Sequence, residues 1–218
     1  MLGIEVSERT VSRYLPTRPI DPQARQRWRT FLQNHREALA AMDFFTVPTA
    51  TFRMLYVFFV IHPARRTVLH ARVTEHPTAA WITQQLREAF PYDTAPGSLI
   101  FDRDKKYSHE VLATRESMGI ERKQITAYSP WQHGVAERWV QTVRRDLLDH
   151  AIVFSERQLQ RLLTEFLAYD HEDRTHLGLA KATPAMRKVT SRPAVDAAVV
   201  AHPRLGGLHH RYEWGEAA

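Results

Sequence analysis

Three acidic side chains stand where a carboxylate is costly or well placed for chemistry. Asp43 lies inside the apolar run MDFFTV, Asp102 directly follows the apolar run LIF, and Glu137 lies near the start of an amphipathic helical stretch. A carboxylate within an apolar strand costs several kcal/mol to desolvate unless it is paired or binds a cation. Mg²⁺ prefers hard oxygen ligands, and three carboxylates can share two ions about 3.5 to 4 Å apart. Such a site suits the cleavage or transfer of a phosphodiester.

Each carboxylate also has a purely structural explanation when it is taken alone. Asp43 could cap its strand or pair with a nearby arginine. Glu137 would be favourable near any helix N-terminus through the macrodipole. Asp104, two residues after Asp102, is typical of a solvated turn. The combination of the three residues, rather than any one of them, favours a metal site.

The composition restricts the class of protein and the kind of metal ligand. The chain has 218 residues, of which 44% are hydrophobic and 25% charged, as expected for one packed domain with a small appendage. No run reaches the roughly 18 to 20 apolar residues of a membrane span, and the N-terminus lacks the order of a signal peptide, so we expect a cytoplasmic protein with no membrane partner. The absence of cysteine excludes disulfides and thiolate-bound zinc. A net charge of +6 favours an anionic partner, nucleic acid above all.

The apolar pattern predicts the elements that must position these acids. Three adjacent runs rich in β-branched and aromatic residues predict an antiparallel meander: MDFFTV, FRMLYVFFVI and RTVLHARV. The run SLIF is typical of a buried central strand. A further strand, IERKQITA, precedes the loop YSPWQHG. After the first predicted strand, helical spacing predicts four helices, at about 78–90, 109–118, 135–150 and 155–171. This order predicts an α/β fold with a mixed five-stranded sheet flanked by helices.

The predicted elements indicate where two of the acids lie. Asp102 would lie at the carboxyl end of the central strand, where crevices open in such sheets. Glu137 is about 100° round its helix from the predicted core stripe and shares a line with Gln141 and Arg144. That stripe consists of Ala136, Val140, Val143 and Leu147. Glu137 is therefore expected where the buried face meets solvent.

Taken together, the motifs resemble the catalytic core of retroviral-type integrases and of insertion-sequence transposases with an Asp-Asp-Glu triad. The similarity runs from about Met42 to Pro184, and YDHEDRTHLGLAKATP resembles the segment that closes the core, with Arg174 and His176 in matching places. The resemblance implies a ribonuclease H-like fold. It also implies a catalytic and metal-binding triad of Asp43, Asp102 and Glu137, which would bind Mg²⁺ or Mn²⁺, with two ions expected.

The function implied by the resemblance is a transposase or integrase that cleaves and transfers DNA strands of a mobile element. Its partners would be element ends and target DNA, and it would act as a homo-oligomer because two DNA ends must be joined. Candidate DNA contacts are Lys105, Lys106, Gln132, Arg138 and Arg144. Gln132 is assigned by the resemblance, whereas the cations could instead be solvated charges. A general metal-dependent nuclease and an inactive DNA-binding remnant remain open as alternatives.

Four segments are expected along the chain. Residues 1–16 carry one short predicted helix and resemble the remnant of a truncated helix-turn-helix. Residues 17–40 form a linker and a helix. Residues 41–190 form the integrase-like catalytic core. Residues 191–218 form a C-terminal tail with few periodic signals.

Overall fold

The computed structural model describes residues 38–92, 94–101, 108–124 and 134–215, together with Gln23, Gln26, Arg27, Thr30, Asn34 and His35. The chain divides into two compact units, residues 1–34 and residues 35–218, and every element given below belongs to the second. Several predicted features lie outside the described residues: the helix in residues 1–16, and Asp102, Asp104, Lys105, Lys106 and Gln132.

A mixed five-stranded sheet forms the centre of the second unit, as predicted. Its strands are β1 (Leu39–Pro48), β2 (Met54–His62), β3 (Thr67–Thr74), β4 (Ser98–Phe101) and β5 (Glu121–Gln124). The spatial order is β3-β2-β1-β4-β5. The first three strands pair antiparallel, whereas β4 runs parallel to both β1 and β5. The meander and the buried central strand are therefore confirmed.

Among the described residues of this unit, four helices flank the sheet: α1 (Ala79–Ala89), α2 (His109–Ser117), α3 (Gly134–Asp146) and α4 (Glu156–Glu172). Two of them begin at residues whose side chains satisfy the first free N–H groups of the helix. Thr78 accepts from the amide of Trp81 at 3.2 Å, and Ser155 accepts from the amide of Gln158 at 3.2 Å. These caps explain why both helices begin close to the positions predicted from the sequence.

The two faces of the sheet are covered by different helices because side chains alternate along each strand. On one face, Phe44 and Phe58 pack against Trp81 of α1, with ring centroids 6.5 and 6.2 Å from it. On the other face, Phe45 and Phe59 pack against Trp139 of α3. Strands β2 and β4 are therefore apolar on both faces, which is why they appear as continuous apolar runs.

Helix α3 differs from its predicted core stripe at one position. Ala136, Val143 and Leu147 are buried as expected, but Trp139 occupies the buried position expected for Val140, which is only half-buried. A tryptophan removes far more apolar surface from water than a valine, so the helix is rotated to bury Trp139. The helix also ends at Asp146, and a 3₁₀ turn, Leu148–His150, follows it.

The C-terminal region contains a hairpin that the sequence pattern did not predict. Strands β6 (Ala198–Arg204) and β7 (His209–Gly215) pair antiparallel as a separate two-stranded sheet. All but the last residue of β6 are exposed, so the strand lacks the alternation that marks a half-buried strand. In the described part of the chain, no helix combines the length and the apolar character needed to cross a membrane.

Candidate active site

Asp43 lies in the middle of β1 and is half-buried. It stands opposite Phe59 of β2, so it shares a face of the sheet with Phe59 and with Phe45, two residues further along its own strand. Its Oδ1 accepts a hydrogen bond from the amide of Phe44 at 2.7 Å. This bond fixes the carboxylate at the surface of the sheet on the side that faces α3.

Trp139 positions α3 against the same patch of the sheet. Its ring lies 4.4 Å from the ring of Phe59 and 6.0 Å from that of Phe45, which are the two same-face neighbours of Asp43. Only 5% of Trp139 is exposed. Trp139 therefore sets where α3 lies on the sheet, whereas Glu137, two residues earlier, is about 200° round the helix from it and is exposed.

Asp43 and Glu137 line one open groove of about 380 Å³. The floor and walls of the groove come from β1 and α3: Asp43, Phe44, Phe45, Thr46, Glu137, Val140, Gln141 and Arg144. Glu137 is exposed, as expected for a residue at the edge of the buried stripe. Two of the three predicted triad members, which are far apart in the sequence, therefore line the same groove.

Arg144 adds a positive charge to this groove. Its guanidinium lies 5.9 Å from the centroid of the Phe45 ring and donates a hydrogen bond to the carbonyl oxygen of Thr46 at 3.3 Å. Both contacts hold the cation beside the strand that carries Asp43. A fixed cation next to two carboxylates is well placed to receive a phosphate oxygen.

The register of the parallel strands relates Asp43 to the end of β4. Ala41 of β1 is paired with Ile100 of β4. Asp43 follows Ala41 by two residues in the sequence, and Asp102 follows Ile100 by two residues. Asp102 itself lies outside the described residues.

The donors in the groove suit a hard divalent cation. Asp43 and Glu137 offer carboxylate oxygens, which Mg²⁺ and Mn²⁺ prefer, and the groove is open enough to admit water and phosphate oxygens. Within the part of the chain that the structure describes, no three His, Cys, Asp or Glu side chains form a group that could hold a metal. The two described carboxylates therefore fit a magnesium site to which a third ligand would have to be added.

Arg138, predicted as a DNA contact together with Arg144, lies elsewhere. It lines a second cavity together with Arg66, Arg145, Arg174 and His176, and it does not line the groove of Asp43 and Glu137. Arg138 and Arg144 are six residues apart (144 minus 138), or about 240° round an α-helix. The two arginines consequently lie on different sides of α3.

The segment after α4, which resembles the end of an integrase core, forms a buried polar network. Arg174 donates to Asp146 at 3.0 Å and to Asp170 at 3.1 Å, which ties the end of α3 to the end of α4. His176 lies 3.5 Å from Asp170, and burial lowers the pKa of His176, with the nearby Asp170 acting in the opposite direction. These residues stabilise the fold around the groove and do not line it.

Two residues of the site region were missed in the sequence. Trp139 could have been found, because positions 136, 139 and 143 also follow helical spacing and tryptophan is the larger apolar residue. Arg66 gave no signal, because it is in the turn between β2 and β3 and reaches the second cavity only through tertiary packing.

Comparison with known proteins supports the resemblance in sequence and in fold. Residues 118–184 match the integrase core domain family. This match includes Glu137, Arg174 and His176 but not Asp43 or Asp102. An uncharacterized protein of Caenorhabditis elegans is 26% identical over 151 residues, which cover 64% of this chain and 12% of that protein.

Three solved structures share the fold. A chain of the simian T-cell lymphotropic virus intasome, in complex with a PP2A regulatory subunit, aligns with a TM-score of 0.56 and 15% identity, over 82% of this chain and 66% of that chain. The HTLV-2 integrase catalytic core in complex with magnesium aligns with a TM-score of 0.54 and 13% identity, over 70% of this chain and 97% of that chain. The BIV integrase catalytic core aligns with a TM-score of 0.51 and 18% identity, over 68% of this chain and 91% of that chain.

At these identities the structural matches establish the fold alone, and the chain spans just under two thirds of the intasome chain and a small part of its worm relative. The ribonuclease H-like fold class is confirmed. Residues 118–184 are similar in sequence to the integrase core domain, and the chain has the fold of the retroviral integrase catalytic cores.

Proposed function

We propose that this chain is a DNA transposase or integrase, a polynucleotidyl transferase that cleaves and joins DNA strands of a mobile element. The observation that carries the proposal is the groove shared by Asp43 and Glu137 on an integrase-type core. Two carboxylates from a strand and a helix, beside an arginine, suit metal-dependent phosphodiester chemistry.

Asp102 is proposed as the third acid of the site. The supporting argument is the strand register: Asp43 and Asp102 each come two residues after a member of the Ala41–Ile100 pair on neighbouring parallel strands. Asp43 comes just after the part of β1 that pairs with β4, and Asp102 comes just after the last residue of β4, the carboxyl end at which ligand sites of α/β proteins lie. Asp104, two residues later, is assigned no ligand role.

Magnesium, or manganese in its place, is the proposed cofactor, and two ions are expected. The HTLV-2 core, which shares this fold, was solved in complex with magnesium. When bound, a pair of divalent ions supplies charge neutralisation for the attacking and leaving oxygens. The chain contributes the positions of the ligands: Phe44 holds the Asp43 carboxylate by its amide, and Trp139 fixes the helix that carries Glu137.

DNA is the proposed partner, as element ends and as target. Arg144 would contact a phosphate next to the reacting one, because its guanidinium lines the groove. Lys105, Lys106 and Gln132 are proposed as further contacts from their places in the sequence. A similar chain is part of an intasome, and the HTLV-2 core was solved in a trimeric form, which supports a homo-oligomer here.

The domain organisation is proposed as follows. Residues 41–190 form the catalytic core, although strand β1 begins two residues earlier, at Leu39. Residues 191–218 contain the C-terminal hairpin. From the sequence, one short helix is proposed in residues 1–16, and a linker with a helix in residues 17–40.

An assay that separates joining from cutting tests the proposed function. Labelled duplexes that carry the terminal sequences of the encoding element are incubated with plasmid DNA and Mg²⁺ or Mn²⁺. Joined products that require both the labelled duplex and the metal support a transposase or integrase. Glu156→Gln serves as a matched control for Glu137→Gln, because Glu156 is also an exposed glutamate in the first turn of a helix.

The alternative functions give different products. Metal-dependent cutting without any joined strand would indicate a general nuclease. DNA binding with neither cut nor joined strands would indicate a DNA-binding protein without strand-transfer activity. Either result would overturn the proposed function.

A further inference from the structure

A second cavity, of about 430 Å³, lies between the β2–β3 turn, helix α3 and the loop after α4. Five of its lining residues carry basic side chains: Arg66, Arg138, Arg145, Arg174 and His176. Among the residues that the structure describes, no acidic side chain lines it. The cavity is therefore a concentration of positive charge that the proposed chemistry at Asp43 and Glu137 does not use.

Two of these arginines are already neutralised. Arg174 is paired with Asp146 at 3.0 Å and with Asp170 at 3.1 Å, and Arg145 is paired with Asp146 at 2.8 Å. The carboxylates of Asp146 and Asp170, which do not line the cavity, thus balance the charges of these two arginines. The net charge of the cavity must come from the remaining basic residues.

Arg66 and Arg138 supply that charge. Within the described residues, neither of them forms a hydrogen bond or an ion pair, so two guanidinium groups face one cavity without a counterion. Burial lowers the pKa of Arg66, and the like charges of Arg138 and Arg174 lower it further, against a smaller opposite effect of Asp170. The repulsion between these cations would be relieved by an anion placed between them.

His176 contributes neither a charge nor a free donor, because its Nε2 donates to the backbone carbonyl oxygen of Asp170 at 3.3 Å. Burial lowers its pKa, so the imidazole is neutral near pH 7. The cavity wall also includes the hydroxyl-bearing Thr142 and Thr175. Together with the guanidinium groups of Arg66 and Arg138, these two hydroxyls would match a ligand with several acceptor oxygens.

The position of Arg66 depends on a glycine in the opposite loop. The guanidinium of Arg66 lies over Gly178, and a Cβ at that position would collide with it. The collision involves the far end of a flexible side chain, so an alanine would move Arg66 rather than the loop. The chain therefore offers a way to displace this cation without removing its charge.

We propose that Arg66 and Arg138 form a phosphate-binding site for the DNA backbone, separate from the groove of Asp43 and Glu137. Guanidinium groups bind phosphate through paired N–H···O hydrogen bonds, which makes arginine the common residue for this ligand. Gln141 lines both cavities, so one DNA strand lying across α3 could reach the two sites. The inference rests on the proposed function, because it takes DNA to be the ligand of this surface.

The test measures the affinity for a short labelled duplex without divalent metal, over a series of salt concentrations. The logarithm of the binding constant falls linearly with the logarithm of the salt concentration, and each lost phosphate contact makes this slope less steep by about 0.9. Arg66→Ala/Arg138→Ala should therefore reduce the slope by roughly one to two units and weaken binding by about tenfold or more at low salt. Arg87→Ala/Arg157→Ala is the control of equal charge change, since it removes two exposed arginines, one from α1 and one from α4.

Gly178→Ala gives a second variant that keeps every charge. It should weaken duplex binding by severalfold, since Arg66 is displaced, while Arg66→Ala/Gly178→Ala should bind no more weakly than Arg66→Ala alone. Thermal denaturation checks that each variant is folded. Arg66→Gln/Arg138→Gln replaces the alanine pair if that pair does not fold.

The outcomes separate this inference from the proposed function. If the double arginine variant keeps the wild-type slope while Asp43→Asn abolishes joining, the proposal of a phosphate-binding site is wrong and the proposed function is supported. If the wild-type chain binds no duplex at all, both are wrong. Inorganic phosphate, tested by thermal denaturation, distinguishes a site for a free anion: stabilisation by phosphate without a change of the DNA slope would overturn the assignment to DNA.

Discussion

The rings of Trp139 and Phe59 lie 4.4 Å apart, and this contact joins the two halves of the candidate active site. Phe59 is the cross-strand partner of Asp43, and Trp139 is two residues after Glu137 on α3. The distance between the two carboxylates is therefore controlled by an apolar contact in the core beneath them. A change in this contact should alter both stability and activity.

Trp139→Ala should lower the free energy of unfolding by about 3–5 kcal/mol, because it leaves a large cavity against Phe59 and Phe45. Joining activity should also fall strongly at temperatures where the variant is still folded, since α3 is no longer fixed. Urea denaturation and the joining assay provide the two measurements. Trp139→Phe, which keeps part of the ring contact, should lie between the wild type and the alanine variant. Wild-type stability of Trp139→Ala would contradict the packing described here.

Asp43→Asn and Glu137→Gln should each reduce metal-dependent joining by at least about a hundredfold, roughly 2.7 kcal/mol of barrier. Both changes keep the side-chain volume but remove the charge that the cation requires. Thermal stability without metal should change little or rise, because crowded carboxylates repel one another. The joining assay and thermal denaturation measure these effects. Full activity of either variant would remove that residue from the set of ligands.

Asp102→Asn should be as damaging as Asp43→Asn, whereas Asp104→Asn should cost about tenfold or less, about 1.4 kcal/mol of barrier. The reason is the strand register, which relates Asp102 and not Asp104 to Asp43. Rates of joining for the two variants, measured side by side, decide between them. A larger loss for Asp104→Asn would reverse the assignment.

Much of the fold could be predicted because burial leaves a clear pattern. SLIF and the run around Phe58 and Phe59 are apolar on both faces, and such continuous apolar runs indicate central strands from the sequence alone. The pairing of Asp43 with Glu137 could not be derived from periodicity, and it came from the resemblance to integrases. The cavity of Arg66 and Arg138 depends on tertiary packing between a turn and a helix, for which a single sequence carries no local signal.

The stability of the protein should fall in mild acid. The Nε2 atom of His171 accepts a hydrogen bond from the amide of Val68 at 3.0 Å, so this imidazole must be neutral, and burial lowers the pKa of His171. Burial also lowers the pKa of His70 and of His176. The unfolded chain then binds more protons than the folded chain below the ordinary histidine pKa of about 6.5. Stability is therefore complete above that pH and decreases as the pH falls towards the lowered values.

His171→Gln tests the origin of this acid sensitivity. A glutamine can accept the Val68 hydrogen bond but does not titrate, so the loss of stability between about pH 6.5 and pH 5 should become smaller. Urea denaturation at several pH values gives the measurement. His109→Gln, at an exposed position on α2, should leave the pH dependence unchanged. An unchanged pH dependence for His171→Gln would show that other groups control acid stability.

The C-terminal hairpin should depend on the buried carboxylate of Asp173, just after α4. Arg204 donates to it at 2.8 Å, and Arg187 and Arg211 lie 3.6 and 3.5 Å from it, while its own side chain is fully buried. Two of the three arginines belong to the hairpin strands, so this contact fixes the hairpin to the core. Asp173→Ala should lower the free energy of unfolding by about 1.5–3 kcal/mol, because Arg204 loses its charge-assisted hydrogen bond, although Arg187 and Arg211 keep Glu213 as a partner.

Matched variants separate this contact from a general loss of charge. Arg204→Ala should cost only about 1 kcal/mol or less, since Arg187 and Arg211 still neutralise Asp173 and the arginine is partly exposed. Asp149→Ala, at an exposed position, should change stability by no more than about 0.5 kcal/mol. Hydrogen exchange should show that Asp173→Ala exposes the amides of β6 and β7 before those of the central sheet, because Asp173 holds the hairpin and not the sheet. Equal protection of the hairpin in Asp173→Ala and wild type would mean that the stacking of His209 on Tyr169, 4.3 Å apart, is sufficient to hold it.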